Sequence, residues 1–320
     1  MNALLDLLAS KGATSFADFM RAALYAPGLG YYAKDRRRVG TRRDADFYTA
    51  ESLGPVFAKL VCGAAWAIAA GSGGAEPLFV EMGAEPLSSV AASACPPFSK
   101  AIALERGGEI PQDGSVILFS NELFDAQPFH RVARLGGRWR ECGVRIEGGR
   151  AVEVLLDALS EPVAAFAGRL PVEASEGYRM DLPLEAEALM ASIAAKENVV
   201  AVIAFDYGLD WADILYRRPS GTARAYRRHE LCPDLLADPG EQDLTCHICW
   251  DGLENALRGA GFTDVRTMRQ EAFFMRHAMP QMEEVLRRGD VVECGKLREL
   301  IHPSRMGAAF QVLLALRRAV

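Results

Sequence analysis

The chain has 320 residues, half of them hydrophobic and 24% charged, with a net charge of −6. That composition is enough for a sizeable buried core and excludes an intrinsically disordered chain. The excess of acid also argues against non-specific nucleic-acid binding, which needs Lys and Arg to displace counterions.

The start, Met1 to Leu8, is apolar, but it has no basic leader and carries Asp6, so no signal peptide is expected. No run approaches the roughly 18 apolar residues of a membrane-crossing helix. The seven cysteines are odd in number and scattered, which fits reduced thiols in a cytoplasm better than a disulfide framework. Cys246 and Cys249 have CxxC spacing without a second ligand pair, so no metal site is expected and two buried thiols are.

Residues 1–75 read as a helical segment. Phe16, Phe19, Met20, Ala23 and Leu24 recur at helical spacing, and Pro27-Gly28 ends that helix. A loop through Gly30-Tyr31-Tyr32 then carries Arg36-Arg37-Arg38 and Arg42-Arg43, read as a solvated cluster. From residue 76 the pattern changes. Leu78-Phe79-Val80, Ala101 to Leu104, Val116 to Phe119 and Val199 to Phe205 are unbroken apolar runs. Each is closed by a segment with an acidic or amide group: Glu81, Glu105, Ser120-Asn121-Glu122 and Asp206. Such runs suit parallel strands buried on both faces, whose carboxyl ends line the ligand site. Leu184 to Lys196 supplies one of the helices that alternating units require. Residues 129–156 instead alternate with period two between Gly-Gly turns, which predicts an antiparallel meander inserted as a lid or substrate wall. Phe310 to Leu316 is expected as the last strand of the main sheet.

Several motifs occur in a fixed order. Phe19-Met20, Ala23-Leu24-Tyr25, Pro27 and Gly30-Tyr31-Tyr32 come first, then Asp46-Phe47, Thr49-Ala50 and Glu51. Asn121-Glu122-Leu123-Phe124-Asp125-Ala126-Gln127-Pro128 follows, then Asp206-Tyr207-Gly208, Gly221-Thr222, Tyr226 and His229. Pro239-Gly240, Asp243-Leu244-Thr245, His247-Ile248, Gln270 and Phe274 complete the set. In these residues, over nearly the whole chain, the sequence resembles the MidA-like proteins, whose mitochondrial member is a complex I assembly factor that methylates arginine. The resemblance implies an α/β class I (Rossmann-like) methyltransferase sheet over residues 76–320, with S-adenosyl-L-methionine as cofactor. The partner it implies is a protein substrate or partner subunit. Neither nucleic acid nor membrane is expected, and the self-assembly considered is a homodimer.

Within that resemblance the cofactor-binding candidates are Glu81, Gly83, Glu105, Asp46, Phe47 and Thr49. The family turn E-x-G-x-G-x-G reads Glu81-Met82-Gly83-Ala84-Glu85-Pro86-Leu87 here, so one glycine of three remains and the chain is shortened from Ser88 to Gly114. Positive φ is penalised at a non-Gly residue, which weakens the cofactor grip. Glu105 stands about 24 residues after Glu81, a spacing that suits a ribose-binding carboxylate. The catalytic candidates are Asn121, Glu122, Asp125 and Asp206. Carboxylates bind a guanidinium in bidentate geometry and can accept its proton, and a strand-end Asn can accept a hydrogen bond from the attacking amine. The leading expectation is a methyltransferase acting on a protein side chain, arginine first. The alternative is a non-catalytic assembly protein that kept the fold. A nicotinamide-dependent oxidoreductase is disfavoured by the missing G-x-G-x-x-G.

Overall fold

The computed structural model describes residues 3–34, 50–70, 76–84, 89–93, 97–227 and 230–317. Asp46, Phe47, Thr49, the arginine cluster, Glu85 to Leu87 and His229 lie outside the described residues.

The chain opens with helices α1 (Ala3–Ala9), α2 (Phe16–Tyr25) and α3 (Pro55–Ala70). Strands β1 (Leu78–Met82), β2 (Ala101–Leu104) and β3 (Val116–Asn121) follow, then β4 (His130–Leu135), β5 (Arg138–Glu147) and β6 (Arg150–Leu155). Next come α4 (Glu161–Phe166), β7 (Arg179–Leu182), α5 (Leu184–Ala194), β8 (Val199–Asp206) and α6 (Trp211–Arg217). The remainder is β9 (Arg224–Arg227), β10 (Glu230–Cys232), β11 (Asp243–Thr245), α7 (Trp250–Gly259), β12 (Asp264–Arg269), α8 (Gln270–His277), α9 (Met279–Arg288), α10 (Val291–Ile301), α11 (Met306–Ala309) and β13 (Gln311–Leu316). They divide into two compact units. The helical segment expected over residues 1–75 is shared between them.

The first unit holds Met1–Arg36, Phe124–Leu189 and Leu209–Asp251. Its α2 starts where Ser15 caps the helix, accepting from the Asp18 amide at 3.0 Å. It ends at Ala26, because the residue before Pro27 is driven out of the helical region. The stripe Phe16, Phe19, Met20, Ala23 and Leu24 is fully buried. β4, β5 and β6 form the expected meander, and β7 extends it by pairing antiparallel with β4. This sheet buries charge as well as apolar groups: His130 and Arg131 on β4 are 3% and 8% exposed. Val132, Phe166, Met180, Leu182 and Ile214 make its adjoining core. A separate three-stranded sheet has the order β10-β9-β11.

The second unit holds Arg37–Leu123, Met190–Gly208 and Gly252–Val320. Its six-stranded sheet has the order β12-β13-β8-β3-β1-β2. β2, β1, β3 and β8 run parallel, and β13 is antiparallel to both of its neighbours. Every residue of β3 is buried, which explains its unbroken apolar run. α3 covers this sheet with the Phe57 ring 5.6 Å from Phe205 and 6.3 Å from Phe119. Fully burying such a side chain stabilises by about 1.5–3 kcal/mol. Gln270 and Phe274, both motif residues, are core groups: Gln270 is 0% exposed and donates from Nε2 to the Leu300 carbonyl at 2.8 Å. Cys62 on α3 is disulfide-bonded, which corrects the expectation of seven reduced thiols. A bridge requires only two thiols within reach in space, and spacing along the chain does not report that. No helix among the described residues is long and apolar enough to cross a membrane.

Candidate functional site

The carboxyl edge of the large sheet collects the strand-end residues of β1, β3 and β8. Glu81 on β1 is 1% exposed, and its carboxylate accepts from the Ser89 hydroxyl at 2.6 Å, the Ala91 amide at 2.7 Å and the Val90 amide at 3.1 Å. Burial raises its pKa, and these three donors oppose the rise. Glu81 therefore ties the segment after the turn back to the sheet.

Gly83 begins the turn with φ +80°, and a Cβ there would sit 2.7 Å from Leu123 Cδ1. The positive φ favours glycine, and a Cβ would also oblige the Leu123 side chain to shift. The Gly83 and Ala84 amides donate to the Leu104 carbonyl at 2.9 and 3.0 Å, so the chain itself uses them. Glu105 follows β2 and is exposed.

Asn121 closes β3 beside Phe205 of β8 and is 8% exposed. Its Nδ2 donates to Glu122 Oε1 at 3.3 Å. Its Oδ1 is shut from solvent and has no hydrogen-bond partner among the described residues. One residue earlier, the Ser120 hydroxyl is in the same condition. Ser120 is expected among the residues that close this apolar run, although it is not among the catalytic candidates. Glu122 has φ +50°, a left-handed backbone rare outside glycine, and its amide donates to the Phe205 carbonyl at 2.9 Å. Asp206 at the end of β8 is 0% exposed, and its Oδ1 accepts from the Tyr207 amide at 2.8 Å. The structure thus brings Gly83, Asn121, Glu122 and Asp206 to one edge of one sheet. An orphaned acceptor, two carboxylates and the exposed Glu105 can hold donors and a cation, so these residues fit a cofactor with hydroxyl and ammonium groups and an amine acceptor.

Asp125 belongs to the first unit. It is 6% exposed, and its carbonyl accepts from the Cys246 amide at 2.9 Å. In the same unit the Tyr32 hydroxyl donates to Asp243 Oδ1 at 2.9 Å and the Tyr25 hydroxyl to the Ala126 carbonyl at 2.6 Å. The two rings stack at 5.5 Å. Burial first, then Asp243, raises the Tyr32 pKa, so the phenol stays a donor.

Gly221-Thr222 serves an internal carboxylate. Asp181 accepts from Arg131 Nε at 2.7 Å and from the Thr222 and Ala223 amides at 2.7 and 2.8 Å. A Cβ on Gly221, whose φ is +79°, would meet Asp181 Oδ2 at 2.2 Å. Cys246 and Cys249 are buried thiols. Burial pushes the Cys246 pKa well up, so it is no ready nucleophile.

Residues 101–267 match the family described as "Putative S-adenosyl-L-methionine-dependent methyltransferase". The chain is 24% identical to the mitochondrial protein arginine methyltransferase NDUFAF7 of Danio rerio, across 99% of this chain and 87% of that one. It is also 24% identical to the Drosophila melanogaster homolog, with 67% of this chain aligned, and spans only half of that protein's length. Among solved structures, a Burkholderia thailandensis protein bound to S-adenosyl-homocysteine superposes with a TM-score of 0.84 at 25% identity, covering 98% of this chain and 92% of that one. The likeness identifies the six-stranded sheet as the expected class I methyltransferase fold. With more than half of its residues matched, the chain belongs to the S-adenosyl-L-methionine-dependent methyltransferase family so described.

Proposed function

We propose that this protein transfers a methyl group from S-adenosyl-L-methionine to a nitrogen of a protein side chain, arginine in the first place. The observation that carries the reading is Asn121 Oδ1, a buried acceptor without a partner among the described residues, at the carboxyl end of the central strand β3. A buried orphan acceptor costs about 1–3 kcal/mol, so its retention there points to a ligand donor. The names of the curated relatives support arginine as the acceptor.

The cofactor, when bound, supplies an electrophilic methyl on a sulfonium. Glu105 is the carboxylate suited to its ribose hydroxyls, and Gly83 gives the turn close approach. Asn121 Oδ1 accepts a hydrogen bond from the attacking nitrogen and so aims its lone pair. The carboxylates of Glu122 and Asp206 hold the guanidinium charge, and Glu122 can take the proton the nitrogen must lose.

Calorimetric titration with S-adenosyl-homocysteine comes first, and micromolar binding is expected. Purified protein given methyl-labelled S-adenosyl-L-methionine and a protein extract should then yield labelled methylarginine on hydrolysis. Asn121→Ala should leave the unfolding midpoint unchanged while transfer falls about 100-fold, the usual cost of one aimed polar group. Label found in no arginine would sink the acceptor assignment. A second reading, an assembly protein without catalysis, is supported by the internal use of the Gly83 and Ala84 amides. Absence of heat with S-adenosyl-homocysteine would decide for it.

A further inference from the structure

One end of the small three-stranded sheet gathers positive charge that methyl transfer does not use. β9 and β11 pair antiparallel with Arg224 opposite Thr245. Residues two apart along an extended chain share a face, so His247 follows Thr245 on the face that Arg224 occupies. Cys246, between them, turns the other way and lies 3.3 Å from the buried Thr222 hydroxyl. Arg218 caps the end of α6, one tight turn before β9, with the Gly221 amide donating to its carbonyl at 3.0 Å.

Three features mark this group. Arg218 and Arg224 are exposed, and neither has an ion-pair partner among the described residues. Their chain neighbours differ: Arg217 pairs with Asp213 at 3.0 Å and Arg227 with Asp238 at 2.7 Å. His247 is half-buried, and its Nδ1 is shut from solvent without a partner among the described residues, which leaves Nε2 as the nitrogen to meet a ligand. Burial first, then the charges of Arg224 and Arg218, push the imidazole down to about 4. In a chain of net charge −6, two guanidinium groups without an ion-pair partner among the described residues act on one neutral ring that can donate a hydrogen bond.

We propose that Arg218, Arg224 and His247 form a binding site for a phosphate group. Two guanidinium forks match the oxygens of a dianion and its charge, and the imidazole adds a third donor. The group could come from free phosphate or from a phosphate monoester. The site does not depend on the methyl-transfer reading.

The test is an NMR titration of the histidine imidazoles, with His247 assigned by the resonance lost in His247→Asn. Inorganic phosphate and phenyl phosphate are added in separate arms. A saturating shift of the His247 resonance is expected in at least one arm, weakened by about tenfold or more in Arg218→Gln/Arg224→Gln. Tighter binding of phenyl phosphate would identify a monoester as the source; equal or tighter binding of inorganic phosphate would identify the free ion. Both arginines are exposed, so the double variant should keep its unfolding midpoint, and phosphate should raise that midpoint only in the parent. No saturable shift in either arm, or equal affinity in the double variant, would overturn the proposal.

Discussion

Two regions treat buried polar groups in opposite ways. In the first unit, the Asp181 carboxylate is met by Arg131 and by two consecutive backbone amides. At the carboxyl edge of the large sheet, Ser120 Oγ and Asn121 Oδ1 are buried with no partner among the described residues, and Glu122 stands in a left-handed backbone. The first arrangement is closed, and nothing further can bind to it without breaking it. The second holds unfilled hydrogen-bonding capacity and local strain, which structures usually keep where something else binds. Both contain motif residues, so a motif alone does not say whether its chemistry is structural or functional.

Breaking the closed region should have the largest effect. Asp181→Ala leaves Arg131, 8% exposed, with only the more distant Glu153 carboxylate at 3.6 Å among the described residues. Removing one partner of a buried pair costs about 3–5 kcal/mol. Denaturant unfolding should show that loss. Arg131→Met/Asp181→Leu should recover part of it, since the Thr222 and Ala223 amides still lack their acceptor. A cost below about 1 kcal/mol for the single variant would remove the contrast with Asn121→Ala.

A buried ion pair in the first unit gives a pH signature. His130 Nδ1 lies 3.0 Å from Glu141 Oε1, and Glu185 is 3.8 Å from Nε2. Burial alone would lower the imidazole, but Glu141 and then Glu185 outweigh it and raise the pKa to about 8. The folded value exceeds the unfolded value of about 6.5, so protonation favours the folded state. That contribution, about 2 kcal/mol from the difference in pKa, is complete below pH 6.5 and is lost as pH rises through about 8. Unfolding free energy measured from pH 6 to 9 should fall accordingly, and His130→Gln should flatten the fall. An unchanged slope in that variant would place the pH dependence elsewhere.

The sheet was legible because strands buried on both faces carry unbroken apolar runs up to their polar carboxyl ends, as β3 and β8 do. The meander was legible through its period-two pattern and Gly-Gly turns. β7 was not, because Arg179-Met180-Asp181-Leu182 carries two charges. Its place in the sheet depends on Arg131, 50 residues earlier in the chain. The helices α8 to α11 between β12 and β13 were also missed, although Gly289 ends α9 and Asp290 caps α10; α8, α9 and α10 pack on α3, which is distant in sequence. For the site, Asn121 and Asp206 could be read from the strand ends. Gly221-Thr222 looked alike in sequence, and only the 2.2 Å approach to Asp181 shows why that glycine is required. The orphaned acceptor of Asn121 and the φ of Glu122 exist only once the strands are assembled.

The smallest expected effect sharpens the comparison most. Glu122→Gly removes a side chain from a left-handed position at φ +50°, where glycine carries no steric penalty. The relief is about 1 kcal/mol, partly offset by the greater freedom of glycine in the unfolded chain. The unfolding midpoint should therefore hold or rise slightly. Methyl transfer should fall, because the carboxylate proposed to receive the proton is gone. Glu122→Gln keeps the strain and most of the shape, so it separates the two effects: it should match the parent in stability and the glycine variant in activity. If Glu122→Gly were destabilised instead, the φ of Glu122 would be a turn requirement met by side-chain contacts, and the strained edge would belong with the closed regions.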